Sequence, residues 1–314
     1  MYRSTPHGEH IPVLLAEVLE VLNPQPGEIA FDGTLGFAGH AAELLDRIGP
    51  TGMLLGTDFD PINLEHARAR LSEAGHPFHL HHGNYAGVQT IVAQHGYDGV
   101  DALLVDLGMS SMQLDEAERG FSYMRDGPLD MRMDPTRGQT AADLLAHFPE
   151  AELRSALEEI GDEPNAEWIA RAIVEHRKEQ PILRTVELTQ LIGKALGQPV
   201  DKSEGRKLRK GKDKWETHPA ARTFQVLRIL VNRELANLDH LLRVLPSVLR
   251  PGGRAAIISF HSGEDRRVKH AFKQGLATGV YERIADDPIR PLFDEQKNNP
   301  RSRSAKLRWA VRAS

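Results

Sequence analysis

Apolar positions in the first third of the chain fall into two alternating rhythms. Short apolar runs at Glu28 to Phe31, Met53 to Thr57, Phe78 to His82 and Asp101 to Asp106 have the length and flanking turns of strands. The stretches between them repeat apolar residues at helical spacing, as does an opening segment from Pro12 to Leu22. That order predicts βαβ units and a parallel sheet. After Asp106 the alternation stops. The chain beyond it reads as helix and loop, with helical periods over Ala166 to Arg177 and Val186 to Leu196. A long apolar-periodic stretch from Phe224 to Leu249 then meets Pro251-Gly252-Gly253, a sharp stop, before a buried strand from Arg254 to Phe260. Two short strand candidates, Tyr281 to Ala285 and Lys306 to Val311, close the chain and suit antiparallel pairing at the sheet edge. The expected fold is α/β: a doubly wound, mostly parallel sheet in two pieces, residues 1–114 and 216–314, with a helical domain inserted over 115–215.

Composition narrows the chemistry. The chain has no cysteine, which excludes disulfides, thiolate zinc sites and a cysteine nucleophile, so catalysis must use oxygen and nitrogen groups. No signal-peptide core or membrane-length apolar run is present, so a cytoplasmic enzyme is expected. A net charge of -5 argues against indiscriminate nucleic-acid binding, which needs a surplus of Lys and Arg at the contact. That surplus exists locally, at Lys202 to Lys214 and at Arg301 to Arg312.

The run Ile29-Ala30-Phe31-Asp32-Gly33-Thr34-Leu35-Gly36-Phe37-Ala38-Gly39-His40 is a strand, a glycine-rich turn and a helix start. Glycines let the backbone turn sharply and approach a ligand, and the helix N-terminus offers free N–H groups. The spacing is not that of the dinucleotide fingerprint G-x-G-x-x-G. Asp58, ending the second strand, is placed to accept hydrogen bonds from ribose hydroxyls, and Asp106, ending the fourth, would face the same crevice. Either acid taken alone could be a solvated loop residue. Together with Leu249-Arg250-Pro251-Gly252-Gly253-Arg254, these features resemble class I methyltransferases, which bind S-adenosylmethionine.

Longer strings carry a closer resemblance. They include His10-Ile11-Pro12-Val13-Leu14-Leu15, Asp32-Gly33-Thr34-Leu35-Gly36 and Leu114-Asp115-Glu116-Ala117-Glu118-Arg119-Gly120-Phe121-Ser122. Further along come Asp126-Gly127-Pro128-Leu129-Asp130-Met131-Arg132-Met133-Asp134, His218-Pro219-Ala220, Ser259-Phe260-His261-Ser262 and Ser304-Ala305-Lys306-Leu307-Arg308. By them the chain resembles the ribosomal RNA small subunit methyltransferase H family, also called MraW, along nearly its whole length. The resemblance implies methylation of the exocyclic N4 of a decoding-centre cytidine in 16S RNA, within the small ribosomal subunit or a late assembly intermediate. It also implies cofactor positions at Gly36, Ala38, Gly39, His40, Asp58, Tyr85, Asp106 and Gln113. Phe37 and Ala38, Met112 and Gly263 depart from the usual family pattern.

Methyl transfer from a sulfonium needs nucleophile, methyl carbon and sulfur in line, so positioning supplies much of the acceleration. A cytosine amino group is best held by acceptors on its protons. The familiar Asp/Asn-Pro-Pro-aromatic loop is absent after Asp106, leaving Asp106, Ser110, Ser111, Asp130 and His261 as candidates to orient the base. Phosphate contacts are expected from Lys207, Arg209, Lys210 and Lys212 and from Arg301, Arg303, Lys306 and Arg308, against the alternative of solvated charged faces. His76, His79, His81 and His82 are read as structural, and no metal is expected. Two other functions compete: a nicotinamide oxidoreductase, which lacks its fingerprint here, and a silent RNA-binding assembly factor that retains the fold.

Overall fold

Ile29–Asp32 is buried at every position and forms a central strand, β1. Around it the structure, a computed structural model that describes residues 11–197 and 218–314, builds a seven-stranded sheet. The other strands are β2 (Met53–Asp58), β3 (Phe78–His82), β4 (Val100–Asp106), β5 (Leu249–Ser259), β6 (Tyr281–Ile284) and β7 (Lys306–Arg312). Their order is β3-β2-β1-β4-β5-β7-β6. The first five run parallel, while β7 runs against both of its neighbours. β7 therefore lies inside the sheet and β6 takes the edge, which is more burial than a pair of edge strands would give. Pro251-Gly252-Gly253 falls within β5 as an irregularity against β4.

Helices connect the strands in the expected sequence: α1 (Leu15–Leu22), α2 (Gly39–Ile48), α3 (Pro61–Ser72) and α4 (Val88–Gln94). The region after β4 adds α5 (Ser111–Asp115), α6 (Ala141–His147), α7 (Glu150–Glu159), α8 (Ala166–Glu179), α9 (Thr185–Ala195) and α10 (Ala221–Asn232). Then come α11 (Glu234–Val248), α12 (Ser262–Ala277) and α13 (Phe293–Asn298). The apolar stretch read as continuous from Phe224 breaks at Arg233, whose φ of 53° is left-handed and ends α10.

Two compact units result. One comprises the described residues to Ser110 and Leu235–Ser314, and holds the sheet. On one face α1, α2 and α3 pack against Leu54, Leu104 and Ile258. On the other α4, α11 and α12 pack against Phe31, Leu103, Val105 and Ile257. Strand order reverses between β1 and β4, so their loops part there and open a crevice at the carboxyl ends of the strands.

The second unit is Ser111–Glu234. It extends past the expected limit at 215 because α10 packs on α6 and α7 and is tied to the acidic run before them. The Asn232 amide donates to Met131 O at 2.8 Å and accepts from Met133 N at 2.8 Å. Arg228 pairs with Glu234 at 2.8 Å. Among the described residues no helix is long and apolar enough to cross a membrane.

Candidate functional site

The loop from β1 to α2 is fastened on both sides. Gly33 N donates to Leu104 O at 2.9 Å, Leu35 N to Thr57 O at 3.1 Å, and Thr57 Oγ1 to Gly33 O at 3.0 Å. A Cβ on Gly33 would lie 2.7 Å from the Tyr85 Cβ and 2.9 Å from Val105 Cγ2, so glycine alone lets Tyr85 close over the loop. Ala38 caps α2 with a left-handed φ of 57° and offers no side-chain acceptor. The N-terminus of α2 thus has no side-chain cap of its own, the setting in which a helix N-terminus serves an anion. Phe37, the bulky departure in this loop, stacks at a tilt against His66 with ring centres 5.7 Å apart.

Three acids ring this loop. Asp58 Oδ2 accepts from Gly36 N at 2.7 Å, and Oδ1 accepts from Asp60 N at 2.8 Å and Asn63 Nδ2 at 3.1 Å. Asp60 in turn caps α3, so the second strand's acid is locked to the helix that follows it. Asp32 accepts from Thr34 N at 3.0 Å, and Thr34 Oγ1 accepts from Asp106 N at 2.7 Å. His40 is buried with Nε2 at 3.0 Å from Val13 O, a contact that requires an N–H on Nε2 and leaves Nδ1 as acceptor, 4.0 Å from Asp106 Oδ2. Asp106 Oδ1 is buried and has no hydrogen-bond partner among the described residues.

The electrostatics follow from that burial. Loss of water pushes Asp32 up to about 7, with the charge of Asp58 adding to it. Burial pushes Asp58 up to about 6, against hydrogen bonds that favour its charged form. Asp106 is held well above the usual carboxylate range, first by burial and then by the charges of Asp32 and Glu264. Such a set is unfavourable by itself and favours a cation among the acids. S-adenosylmethionine suits these groups: acceptors for ribose hydroxyls at Asp58, uncapped N–H groups at α2 for a carboxylate, and acidic surroundings for a sulfonium.

Not every expected residue has the expected surroundings. His261 caps α12, its Nδ1 accepting from Glu264 N at 3.4 Å while Nε2 lies 3.2 Å from Glu264 Oε1. Ser110 is half-buried at the end of the β4 loop. In the second unit Gln113 is buried, and Asp130 is engaged by Arg132 through Nε and Nη2, each at 2.8 Å. The side chain of Ser111 lies outside what is described. So do Lys207, Arg209, Lys210 and Lys212.

At the C-terminus the basic residues separate into two kinds. Arg301 and Arg303 are exposed. Arg308 is buried with Nε 2.6 Å from Asp265 Oδ1, and Lys306 reaches Oδ2 at 3.3 Å. Those two charges neutralise Asp265, which they hold below its usual range, and are not presented to phosphate. This corrects the sequence expectation, since β7 is an interior strand. His79 and His81 do share a face of β3: His79 stacks on His95 at 4.3 Å, and His81 Nε2 is 2.8 Å from His95 Nε2. Among the described residues no three His, Asp or Glu side chains are grouped to hold a metal.

Sequence reasoning passed over Asp32, Thr34, Asn63 and Glu264. Asp32 stood in the quoted Asp32-Gly33-Thr34 string, and its position at the end of β1 was the available signal. Asn63 gave none, and Glu264 stood in the string Glu264-Asp265-Arg266 without a role, because each matters only through the acid it faces.

The family model described as the MraW methylase family matches residues 7–313. A protein named ribosomal RNA small subunit methyltransferase H from Geobacter sp. (strain M21) is 45% identical over 317 residues, spanning 95% of this chain and 97% of that relative. One of the same name from Geobacter sulfurreducens is 45% identical, spanning 96% and 98%. Another, ribosomal RNA small subunit methyltransferase H 1 from Agathobacter rectalis, is 41% identical, spanning 99% of this chain and 87% of its own.

Proposed function

The chain belongs to the MraW methylase family, and from that premise we propose that it methylates the exocyclic N4 of a decoding-centre cytidine in 16S ribosomal RNA. Its methyl donor is S-adenosylmethionine. The observation that supports the target atom is the buried, unpartnered Oδ1 of Asp106 at the carboxyl end of β4. An amino group carries protons for such an acceptor, and an acceptor without a partner in a crevice is costly unless a ligand supplies one.

When bound, the cofactor supplies an electrophilic methyl group on a sulfonium. Asp58 accepts from ribose hydroxyls, using lone pairs left over from the loop and α3 contacts. The Gly36 to His40 segment takes the carboxylate end on backbone N–H groups, and Tyr85 walls the adenine side. Asp106 accepts one N4 proton to orient the base and takes up a proton once N4 carries the methyl group. The Asp106 N–H bond to Thr34 Oγ1 fixes the backbone that carries this carboxyl. Desolvation raises the proton affinity of Asp106 and so favours its part in the step. Ser110, Ser111, Gln113, Asp130 and His261 remain as assignments to base and cofactor positioning. A cytidine must be unpaired or extruded to reach the crevice, and the exposed Arg301 and Arg303 serve its flanking phosphates.

The test is incubation with labelled S-adenosylmethionine and unmodified small ribosomal subunits, beside protein-free 16S RNA, followed by digestion and mass spectrometry. Label in N4-methylcytidine is expected. Label in another nucleoside refutes the target, and no label refutes the enzyme.

A further inference from the structure

Helices α11 and α12 lie side by side on one face of the sheet and run parallel to each other, both opposite to β5, α11 descending to its start and α12 leaving its end. Their inward residues, among them Leu241, Leu245, Val268 and Phe272, belong to the core. Outward, the two helices and the start of β6 enclose an open groove of about 790 Å³. Its floor is apolar, from Leu242, Pro246, Val280 and Tyr281. A Cβ on Gly275 would lie 2.3 Å from the Tyr281 ring, so glycine in α12 is what lets Tyr281 lie there.

The rim is basic: Arg243 from α11, and Arg266, Arg267 and His270 from α12, with Asp239 as its acid. Asp239 is engaged by Arg267 at 3.2 Å. The neighbouring acids of α12 are turned away, Glu264 buried at the helix cap and Asp265 held by Arg308 and Lys306. Arg243 and Arg266 are exposed and form no ion pair among the described residues. Lys269 and Lys273 extend the exposed charge along α12. On a chain of net charge -5 this is a local basic strip over an apolar floor.

The geometry points to this groove as a docking track for an RNA strand flanking the target nucleotide, with phosphates on Arg243 and Arg266 and ribose or base faces on the apolar floor. The assignment rests on the ribosomal RNA reading above. Alternating anions and flat apolar faces are what a polynucleotide offers, and each neutralised phosphate contributes salt-dependent affinity. The position agrees. α12 starts at the carboxyl end of β5, beside the crevice of Asp106, and the groove leads away for about 18 Å from Arg266 to Thr278 at the helical rise. A strand that delivers a base to the crevice has to leave over an adjoining surface, and this one carries the matching charge.

The experiment measures binding of the full chain to unmodified small subunits and to 16S transcript between 50 and 300 mM salt, roughly the range where counterion release is read. Arg243→Glu with Arg266→Glu is expected to weaken binding at least about tenfold and to lower the salt slope by about 1.4, two single-strand phosphates' worth. Arg243→Lys with Arg266→Lys should keep most of the affinity, and S-adenosylmethionine binding should be unchanged in both double variants. A photoreactive residue at Lys269 should cross-link to 16S RNA in the particle. Unchanged affinity and slope in the Glu pair would overturn the assignment, as would cross-linking to a ribosomal protein. Failure of the wild-type chain to methylate any small-subunit RNA is read separately, in the nucleoside assay, and removes the premise itself.

Discussion

Asp58→Asn separates the cofactor role of that acid from its place in the fold. The carboxylate serves three donors, Gly36 N at 2.7 Å on one oxygen and Asp60 N and Asn63 Nδ2 at 2.8 and 3.1 Å on the other. An amide has one acceptor oxygen, which keeps the two contacts toward α3 and turns its NH2 toward Gly36 and the ribose. The cost to the bound state is one charge-assisted hydrogen bond, about 1.5–3 kcal/mol, or roughly 10- to 100-fold in affinity. The unliganded fold loses the Gly36 contact too, but gains elsewhere. Burial has raised Asp58 from 3.8 to about 6, so above that pH the folded chain carries about 3 kcal/mol of penalty for its charge, which a neutral amide removes. The thermal midpoint of the unliganded variant should thus stay near that of the wild type while calorimetry shows much weaker S-adenosylmethionine binding. Affinity within about twofold of wild type would refute the ribose assignment. A matching loss of near-ultraviolet circular dichroism would instead place Asp58 in the scaffold.

Asp106→Asn should lower kcat at saturating cofactor by about 100-fold or more. Since the ionised form of Asp106 is the acceptor and its titration is shifted upward, wild-type kcat should rise with pH through that titration; a retained rate sinks the mechanism. Arg308→Ala should destabilise the chain by about 1.5–3 kcal/mol, because it removes a charge-assisted hydrogen bond and leaves the half-buried carboxylate of Asp265 with Lys306 alone, yet leave RNA affinity unaltered; denaturant titration and filter binding test the two halves. Asp32 is raised to about 7, so the folded chain binds more protons than the unfolded one and stability without cofactor falls as pH rises from about 4 through about 7. Asp32→Asn should flatten that fall across pH 5.5 to 7.5, on the order of one proton in slope, and an unchanged slope contradicts the burial argument.

The parallel half of the sheet was legible from the chain alone. β1 to β4 are short apolar runs separated by helical periods, and local burial is what such periodicity records. The placing of the glycine loop, Asp58 and Asp106 together was legible for a related reason: residues at the carboxyl ends of parallel strands sit at fixed places in the strand–loop–helix order. The long strings around Leu114 to Asp134 pointed to the family without any geometry. Other features depended on which distant residues meet. Lys306 and Arg308 read as free cations in a basic tail, but β7 inserts between β5 and β6 and aims both at Asp265. Asp32 carried no role of its own in the chain; packing places it beside Asp58 and Asp106, away from water. The insertion runs to Glu234 because Asn232 bonds the backbone of Met131 and Met133, a pairing no local period encodes, and the α11–α12 groove exists only because two helices on either side of β5 lie side by side. Periodicity along a chain reports how much water each position loses; which charge or hydrogen-bond group replaces that water is decided by the fold.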